Sequence, residues 1–288
     1  MMIKVLIEQA VSPKGEVSNL ESKYIYQAVQ AVYYQKGVDG CFNDVYEYFI
    51  HHDEKLVRDL GVQFYDYSIN GAYSRYFNGK ANVEFNNQFI ILELEELNQK
   101  KDLRPVILTL LMIRISQEMY LSPKSQYKIC GIDEGWDLMR GGSSTQEFIE
   151  TGYRRARKYH GSFITITQRI QDFYANAGAE ACLTNSDSVF TLKQKPESVD
   201  QLKNDSKLAL TDYGLELVKS IHTKKGKYSE IYVKTSTSQA PVRLMVDPYT
   251  SLVYTTDPKD FQRIDDYKAM GYKIEDAIYK VMEEKGLS

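Results

Sequence analysis

Apolar residues at helical spacing open the chain. Ile25, Ala28, Val29 and Val32 recur at intervals of three and four within Tyr24–Tyr34, a pattern that predicts a helix with one buried face. Asn43 is the expected cap of a second helix over Asp44–His51. A third helical segment, Asp53–Leu60, is expected to stop at Gly61. Glycines 71 and 79, with Asn70 and Asn78, mark Ser68–Asn82 as loop. Residues 1–84 therefore read as an all-helical subdomain.

Beyond it the rhythm changes to short apolar runs separated by helical patterns. Gln88–Leu94 (QFIILEL), Tyr127–Ile132 (YKICGI), Ser162–Thr167 (SFITIT) and Ser188–Leu192 (SVFTL) read as four strands. Between them lie a helix over Val106–Tyr120 with Pro105 in its first turn, one over Ser144–Tyr159, and a short one over Ala177–Leu183. Ser144 with Glu147 three residues on forms a capping-box pattern. Such alternation predicts an α/β fold, a parallel sheet with helices on both faces. Tyr228–Lys234 and Val242–Val246 read as a closing pair of strands. Pro258–Glu284 reads as helical, with Asp257 as cap, Pro258 at the first position and a break near Gly271. The expected division is 1–84 helical, 85–260 α/β core, and 261–288 helical tail.

Composition narrows the class without choosing a function. With 43% hydrophobic and 26% charged residues over 288 positions, the chain matches ordinary soluble globular proteins and can bury a full core. A net charge of −3 gives no electrostatic demand for nucleic acid, although basic residues can still cluster locally. Cys41, Cys130 and Cys182 are far apart and odd in number, which argues against a disulfide framework and fits a reducing compartment. The four histidines have no metal-ligand spacing. The longest apolar run, Val106–Ile113, is too short to span a bilayer, and the first residues lack a signal-peptide pattern. The expected location is cytoplasmic or peripheral to a membrane. Tyrosine, at 23 residues, is over-represented, and most tyrosines are expected to be packing or half-exposed surface residues.

Candidate chemistry sits where strands end, since ligands of open parallel sheets bind outside the carboxyl ends of the strands. The Tyr127–Ile132 run leads into Asp133-Glu134, and the Ser162–Thr167 run into Gln168. An apolar strand entering Asp-Glu is the arrangement in which the Asp holds Mg²⁺, often through water, and the Glu activates the attacking water. The competing reading is a strand that exits into a charged turn. Gln168 could orient a water near a γ-phosphate, or be an ordinary strand-end amide. Between these strands lies Gly152-Tyr153-Arg154-Arg155-Ala156-Arg157-Lys158, whose four cations cannot share one helix face. Glu150 is placed to pair with Arg154 at i,i+4. The group reads either as a solvated basic helix end or as the source of an arginine finger acting on a neighbouring subunit's ATP.

The strings GIDEGWDLM, FIETGYRRARKYHGSFITITQ and LKQKPESVDQLK resemble the TraC group of conjugative-transfer ATPases, in the HerA/FtsK-like branch of P-loop motors of type IV secretion. The resemblance extends through FNNQFIILELEEL, Leu215–Thr223, Tyr228–Ile231 and Arg243–Pro248, nearly the whole chain. It implies an incomplete P-loop NTPase core (RecA/HerA-FtsK-like) with an N-terminal all-helical insertion. It further implies Mg²⁺ and ATP as cofactors, Asp133 as the Mg²⁺-associated acid, Glu134 as catalytic base, and Gln168 as γ-phosphate sensor. Arg154, Arg155 and Arg157 are the candidates for the trans-acting arginine. Lys195-Pro196-Glu197-Ser198 is expected to be a structural turn, and Trp136 a packing residue. The family further implies a hexamer working with other inner-membrane secretion components, cytoplasmic but peripheral to the bacterial inner membrane.

One element of the family pattern does not occur. A phosphate-cradling loop needs G-x-x-x-x-G-K-[ST], and neither Gly79-Lys80-Ala81 nor Gly226-Lys227-Tyr228 satisfies it. The expectation is a C-terminal part of a motor ATPase, inactive and poorly stable by itself. The alternatives are a degenerate, non-catalytic docking module of the secretion machinery and a DNA-translocating coupling ATPase. The mild acidity and the lack of a membrane anchor disfavour the coupling ATPase.

Overall fold

A computed structural model describes residues 2–13, 17–79, 87–135, 143–204, 211–224 and 226–287. The chain forms two compact units, Met1–Ile166 and Thr167–Ser288.

The first unit begins with four helices, α1 (Met2–Val11), α2 (Asn19–Lys36), α3 (Phe42–Ile50) and α4 (Lys55–Phe64), followed by one turn, α5 (Ser74–Phe77). The start of α2 is fixed by a reciprocal cap. Ser18 Oγ accepts the Glu21 N–H at 3.3 Å, and Glu21 Oε2 accepts the Ser18 N–H at 2.7 Å. Two expected boundaries are corrected. The helix α3 starts at Phe42, so Asn43 lies inside it and its side-chain carbonyl instead accepts the Ile69 N–H at 2.8 Å, tying down a distant loop. Gly61 does not stop α4, which runs through it to Phe64. A Cβ there would lie 2.8 Å from Ile50 Cγ2, so glycine lets α4 approach α3 closely. The core is built from Ile7, Ile25, Phe49, Val57, Leu60, Phe64 and Tyr67, and it extends onto Leu103 and Val106. These last two belong to α6 (Leu103–Leu121).

Gln88–Leu94 does not form the expected strand. Residues 90–94 have no regular structure, and Phe89 and Ile91 are 81% and 69% exposed. An apolar run becomes a strand only where a neighbour takes its backbone hydrogen bonds, and none does so here among the described residues. The parallel sheet is present in the next two runs. The strands β1 (Lys128–Ile132) and β2 (Gly161–Thr165) pair in parallel from Lys128↔Gly161 to Ile132↔Thr165. They are joined through α7 (Ser143–Arg155) and a 3₁₀ turn, Ala156–Tyr159. Ser144 lies within α7, and its side chain is outside the described residues, as is Trp136.

The inner face of the pair packs on α6 and α7. Gly152 of α7 sits against the Phe163 ring, where a Cβ would be 2.7 Å from the ring atoms. Phe148 and Tyr153 meet the same ring at 5.9 Å. The Lys128 ammonium gathers the carbonyls of Met119 and Ser122 at 3.3 Å and of Tyr159 at 3.5 Å, capping the end of α6.

The second unit carries α8 (Ala177–Thr184), β3 (Ser188–Thr191), α9 (Pro196–Asn204), α10 (Asp212–Ser220), β4 (Thr223–Lys224), β5 (Tyr228–Thr235) and β6 (Gln239–Leu244). Here β3 departs from expectation, pairing antiparallel with β5 rather than joining a parallel sheet. The central strand is β5. Its partner β6 covers residues 229–234, and β3 and β4 share the opposite edge. The expected closing pair is therefore present as β5 and β6. Lys195–Ser198 is not a free turn, because Pro196 opens α9. Val199, Leu215, Val218, Ile221 and Tyr232 form the core of this sheet. A second small core, around Ile264, Ile278 and Val281, joins α11 (Pro248–Val253), α12 (Pro258–Ala269) and α13 (Ile274–Glu284). As the sequence predicts, Asp257 caps α12 by accepting the Lys259 N–H at 3.0 Å, and the break falls at Gly271 with φ of 94°.

Candidate functional site

Asp133 and Glu134 stand at the carboxyl end of β1, both exposed. The ladder with β2 continues one step past the strands. Ile166 N–H donates to Ile132 O at 2.9 Å and Gly135 N–H to Ile166 O at 2.8 Å. The acidic pair is thus held by paired backbone on both sides. Asp133 Oδ1 accepts the Glu134 N–H at 2.9 Å, which orients one carboxylate oxygen and leaves the other to the outside. Glu134 has φ of 50°, in the left-handed region that glycine adopts freely and other residues only at a cost. Gly135 has to be glycine for a different reason, since a Cβ there would come within 2.3 Å of Thr165 Cγ2. The sequence string Asp-Glu-Gly is therefore a tight turn built against the end of β2. The left-handed conformation of Glu134 was not foreseen, and Gly135 was the residue that could have signalled a tight turn.

The arginines lie elsewhere. Arg154 and Arg155 close α7 and Arg157 lies in the 3₁₀ turn after it, which leads into the amino end of β2. With β1 and β2 parallel, the acidic pair and the Arg155–Arg157 segment are at opposite ends of a five-residue strand, about 16 Å at ordinary strand rise. Tyr159 O beneath Lys128, and Tyr120 beneath Arg155, place the segment at the amino end. The expected Glu150–Arg154 pair forms at 2.9 Å. The Arg155 guanidinium stands 5.7 Å from the centroid of the Tyr120 ring. Arg157 is exposed and has no side-chain partner among the described residues.

Gln168 follows β2 and is the second residue of the second unit, where it is exposed. Its neighbour Thr167 donates its hydroxyl to Asp172 Oδ2 at 2.5 Å, which ties the backbone beside Gln168 to the turn at Ile170–Tyr174. Three of the strings that carried the resemblance converge within this unit. Glu230 accepts from Arg243 Nε at 3.1 Å and meets His222 Nδ1 at 2.7 Å, while His222 Nε2 meets Tyr228 Oη at 3.2 Å. Arg243 lies over the Tyr228 ring at 4.4 Å. Partial burial works against the Glu230 charge, but the contacts with Arg243 and His222 outweigh it and hold the carboxyl below its usual range. This network joins His222, just before β4, to β5 and β6.

Among the described residues no three His, Cys, Asp or Glu side chains are grouped as a metal site. Mg²⁺ bound through one or two carboxylates, water and substrate phosphates needs no such group, and an exposed Asp133 at a strand end fits that donor set. No helix of the described residues is long and apolar enough to cross a membrane.

Residues 7–285 match the family model of the TraG P-loop domain. The chain is 28% identical over 294 residues to Protein TraC of Escherichia coli strain K12, a match covering 95% of this chain and 33% of that protein. It thus spans about a third of the length of that relative. Its fold is similar to the structure of VirB4 of Thermoanaerobacter pseudethanolicus, with a TM-score of 0.67 and 19% identity, covering 86% of this chain and 70% of the other.

Proposed function

The chain belongs to the TraG P-loop domain family, and from that premise we propose that it is the C-terminal part of a conjugation or type IV secretion motor ATPase, which powers pilus assembly and DNA or protein transfer. The observation that carries this reading is the Asp133-Glu134 turn at the carboxyl end of a parallel strand, the place where nucleotide chemistry occurs in open α/β sheets. Asp133 would hold Mg²⁺ through water, and the metal would offset phosphate charge. Glu134 is the candidate base for the attacking water. Its left-handed backbone sets where its carboxylate leaves the strand. Gln168, beside the Thr167–Asp172 bond, is the candidate sensor of the γ-phosphate.

The separation of the arginines from the acidic pair supports a finger that acts in trans, within a homohexamer docked with other inner-membrane secretion components. In this reading the full-length machine works at the cytoplasmic face of the bacterial inner membrane. Of the three candidates, Arg157 is favoured because Arg154 is engaged by Glu150 and Arg155 lies over Tyr120. A guanidinium with no side-chain partner among the described residues is available to offset transition-state charge on a neighbour's nucleotide.

Because the sequence contains no G-x-x-x-x-G-K-[ST], the chain assayed alone is expected to turn over ATP negligibly. A malachite-green assay showing robust turnover that Glu134→Gln abolishes would overturn that expectation. Reading the nucleotide sequence upstream of the Met1 codon in all frames separates a motor part from a degenerate docking module. An encoded strand, phosphate loop and helix supports the former.

A further inference from the structure

The amino end of the parallel pair carries a cluster of positive charge, at the opposite end of the strands from Asp133 and Glu134. Two segments meet there, residues 121–128 leading into β1 and residues 154–161 leading into β2. Together they hold Lys124, Lys128, Arg154, Arg155, Arg157 and Lys158, and neither contains an Asp or Glu. Lys128 is engaged by the end of α6 and Arg154 by Glu150. Lys124, Arg155 and Lys158 are exposed and have no carboxylate partner among the described residues.

Aromatic rings are interleaved with these cations. Lys124 Nζ lies 5.1 Å from the centroid of the Tyr159 ring, and the Arg155 guanidinium 5.7 Å from that of Tyr120. The two rings meet edge to face at 5.1 Å. A ring orients a cation but carries no net charge, so the positive field stays uncompensated. Tyr127 stacks on His160, with ring centroids 5.4 Å apart and planes 21° from parallel. The backbone holds this pair together, because the Lys128 N–H donates to His160 O at 3.0 Å. Tyr127 is 86% exposed, which leaves the ring face away from His160 to solvent. His160 keeps φ of 53°, a conformation that costs glycine less, and a glycine there would remove the ring on which Tyr127 rests.

We propose that this end of the sheet binds a single strand of nucleic acid, with Lys124, Arg155 and Lys158 on its phosphates and a base stacked on the open face of Tyr127. Charge complementarity selects a polyanion, and the rings select which one. A duplex keeps its base faces stacked on one another, and a phospholipid headgroup offers no planar face. An unpaired strand uses both the cations and the platform. DNA and RNA share phosphates and base faces, so the surface is expected to take either. The inference goes beyond the nucleotide reading and does not need it, since Arg157, the favoured finger, is left out of the contact.

The test uses the whole chain and a fluorescein-labelled oligothymidylate of about 15 nucleotides, titrated by anisotropy at several salt concentrations without ATP. Saturable binding is expected, with oligouridylate of the same length within severalfold and a duplex roughly tenfold weaker. Tyr127→Ala should weaken binding about tenfold, whereas Tyr127→Phe keeps the ring and the affinity. Lys124→Ala with Lys158→Ala should lower the slope of log affinity against log salt by about 1.4, at about 0.7 for each phosphate contact of a single strand. These side chains are exposed, and circular dichroism checks that the fold is unchanged. Absence of binding overturns the proposal, as does binding that Tyr127→Ala leaves unchanged, which would make the patch a sink for any polyanion. Equal affinity for the duplex, a preference above about tenfold for one sugar, or Tyr127-dependent retention on vesicles of phosphatidylcholine and phosphatidylglycerol overturns it too. Complete displacement by equimolar ATP would make the patch a contact for a neighbour's nucleotide and overturns it equally. No turnover is measured, so failure here leaves the Asp133-Glu134 reading untouched.

Discussion

Glu134 and His160 are the two non-glycine residues with positive φ among the described residues, at 50° and 53°. For an L-residue this conformation costs about 1–2 kcal/mol, and for glycine almost nothing. Glycine also loses about 0.4–1 kcal/mol more chain entropy on folding than alanine. At a position with negative φ the second effect acts alone, and alanine is the more stable replacement. At Glu134 the strain exceeds it, so Glu134→Gly should be more stable than Glu134→Ala by up to about 1 kcal/mol. Both substitutions remove the carboxylate and everything it touches, so that loss cancels in the comparison. Urea unfolding followed by circular dichroism gives the midpoint of each variant. For an m-value of about 2 kcal/mol/M the difference is about 0.5 M in midpoint. The same comparison at His160 is an internal control, since either replacement also loses its stacking on Tyr127 at 5.4 Å. Equal midpoints, or a lower midpoint for glycine at Glu134, would refute the argument that the acidic turn stores strain. If the order holds, retention of Glu at a site that prefers glycine points to a role for its carboxylate.

Gly152→Ala offers a second inversion of sign. Helix propensity favours alanine by about 1 kcal/mol, but the new Cβ meets the Phe163 ring at 2.7 Å. The expected result is a net loss of about 1–3 kcal/mol, partly recovered by adding Phe163→Leu, and chemical unfolding measures it. Lys128→Met keeps the aliphatic stem but leaves three carbonyls without their donor, so a loss of about 1–3 kcal/mol is expected, and an unchanged midpoint would discount the cap. The Cys130 thiol is pushed up to about 11 by burial, so at pH 8 Ellman's reagent should modify it more than tenfold more slowly than an unfolded-chain thiol. Asp247 accepts the Thr250 N–H at the start of α11, and this bond holds its carboxyl below the usual range. A depressed carboxyl pKa stabilises the fold above its unfolded value, and that contribution disappears as pH falls through the folded one. Acid unfolding of the second unit should therefore become less steep in Asp247→Asn, which still caps the helix.

Local order in the sequence was enough for much of the framework. The i,i+4 pair of Glu150 and Arg154, the Asp257 cap and the break at Gly271 all rest on groups within a few residues of one another. Short-range sterics and hydrogen bonds therefore determine them whatever the rest of the chain does. What depended on a distant partner was decided only by the tertiary structure. Gln88–Leu94 has the composition of a strand and no neighbouring strand; Ser188–Leu192 is a strand, but the edge it found belongs to β5 and runs the other way. Gly61 remains helical because α3 packs against it, and Asn43 gave up the cap to hold Ile69. The candidate site shows the same division. The sequence named its acids and arginines, but their opposite ends of the parallel pair follow from a pairing partner that no local pattern encodes, since the hydrogen bonds that fix it join residues more than thirty positions apart.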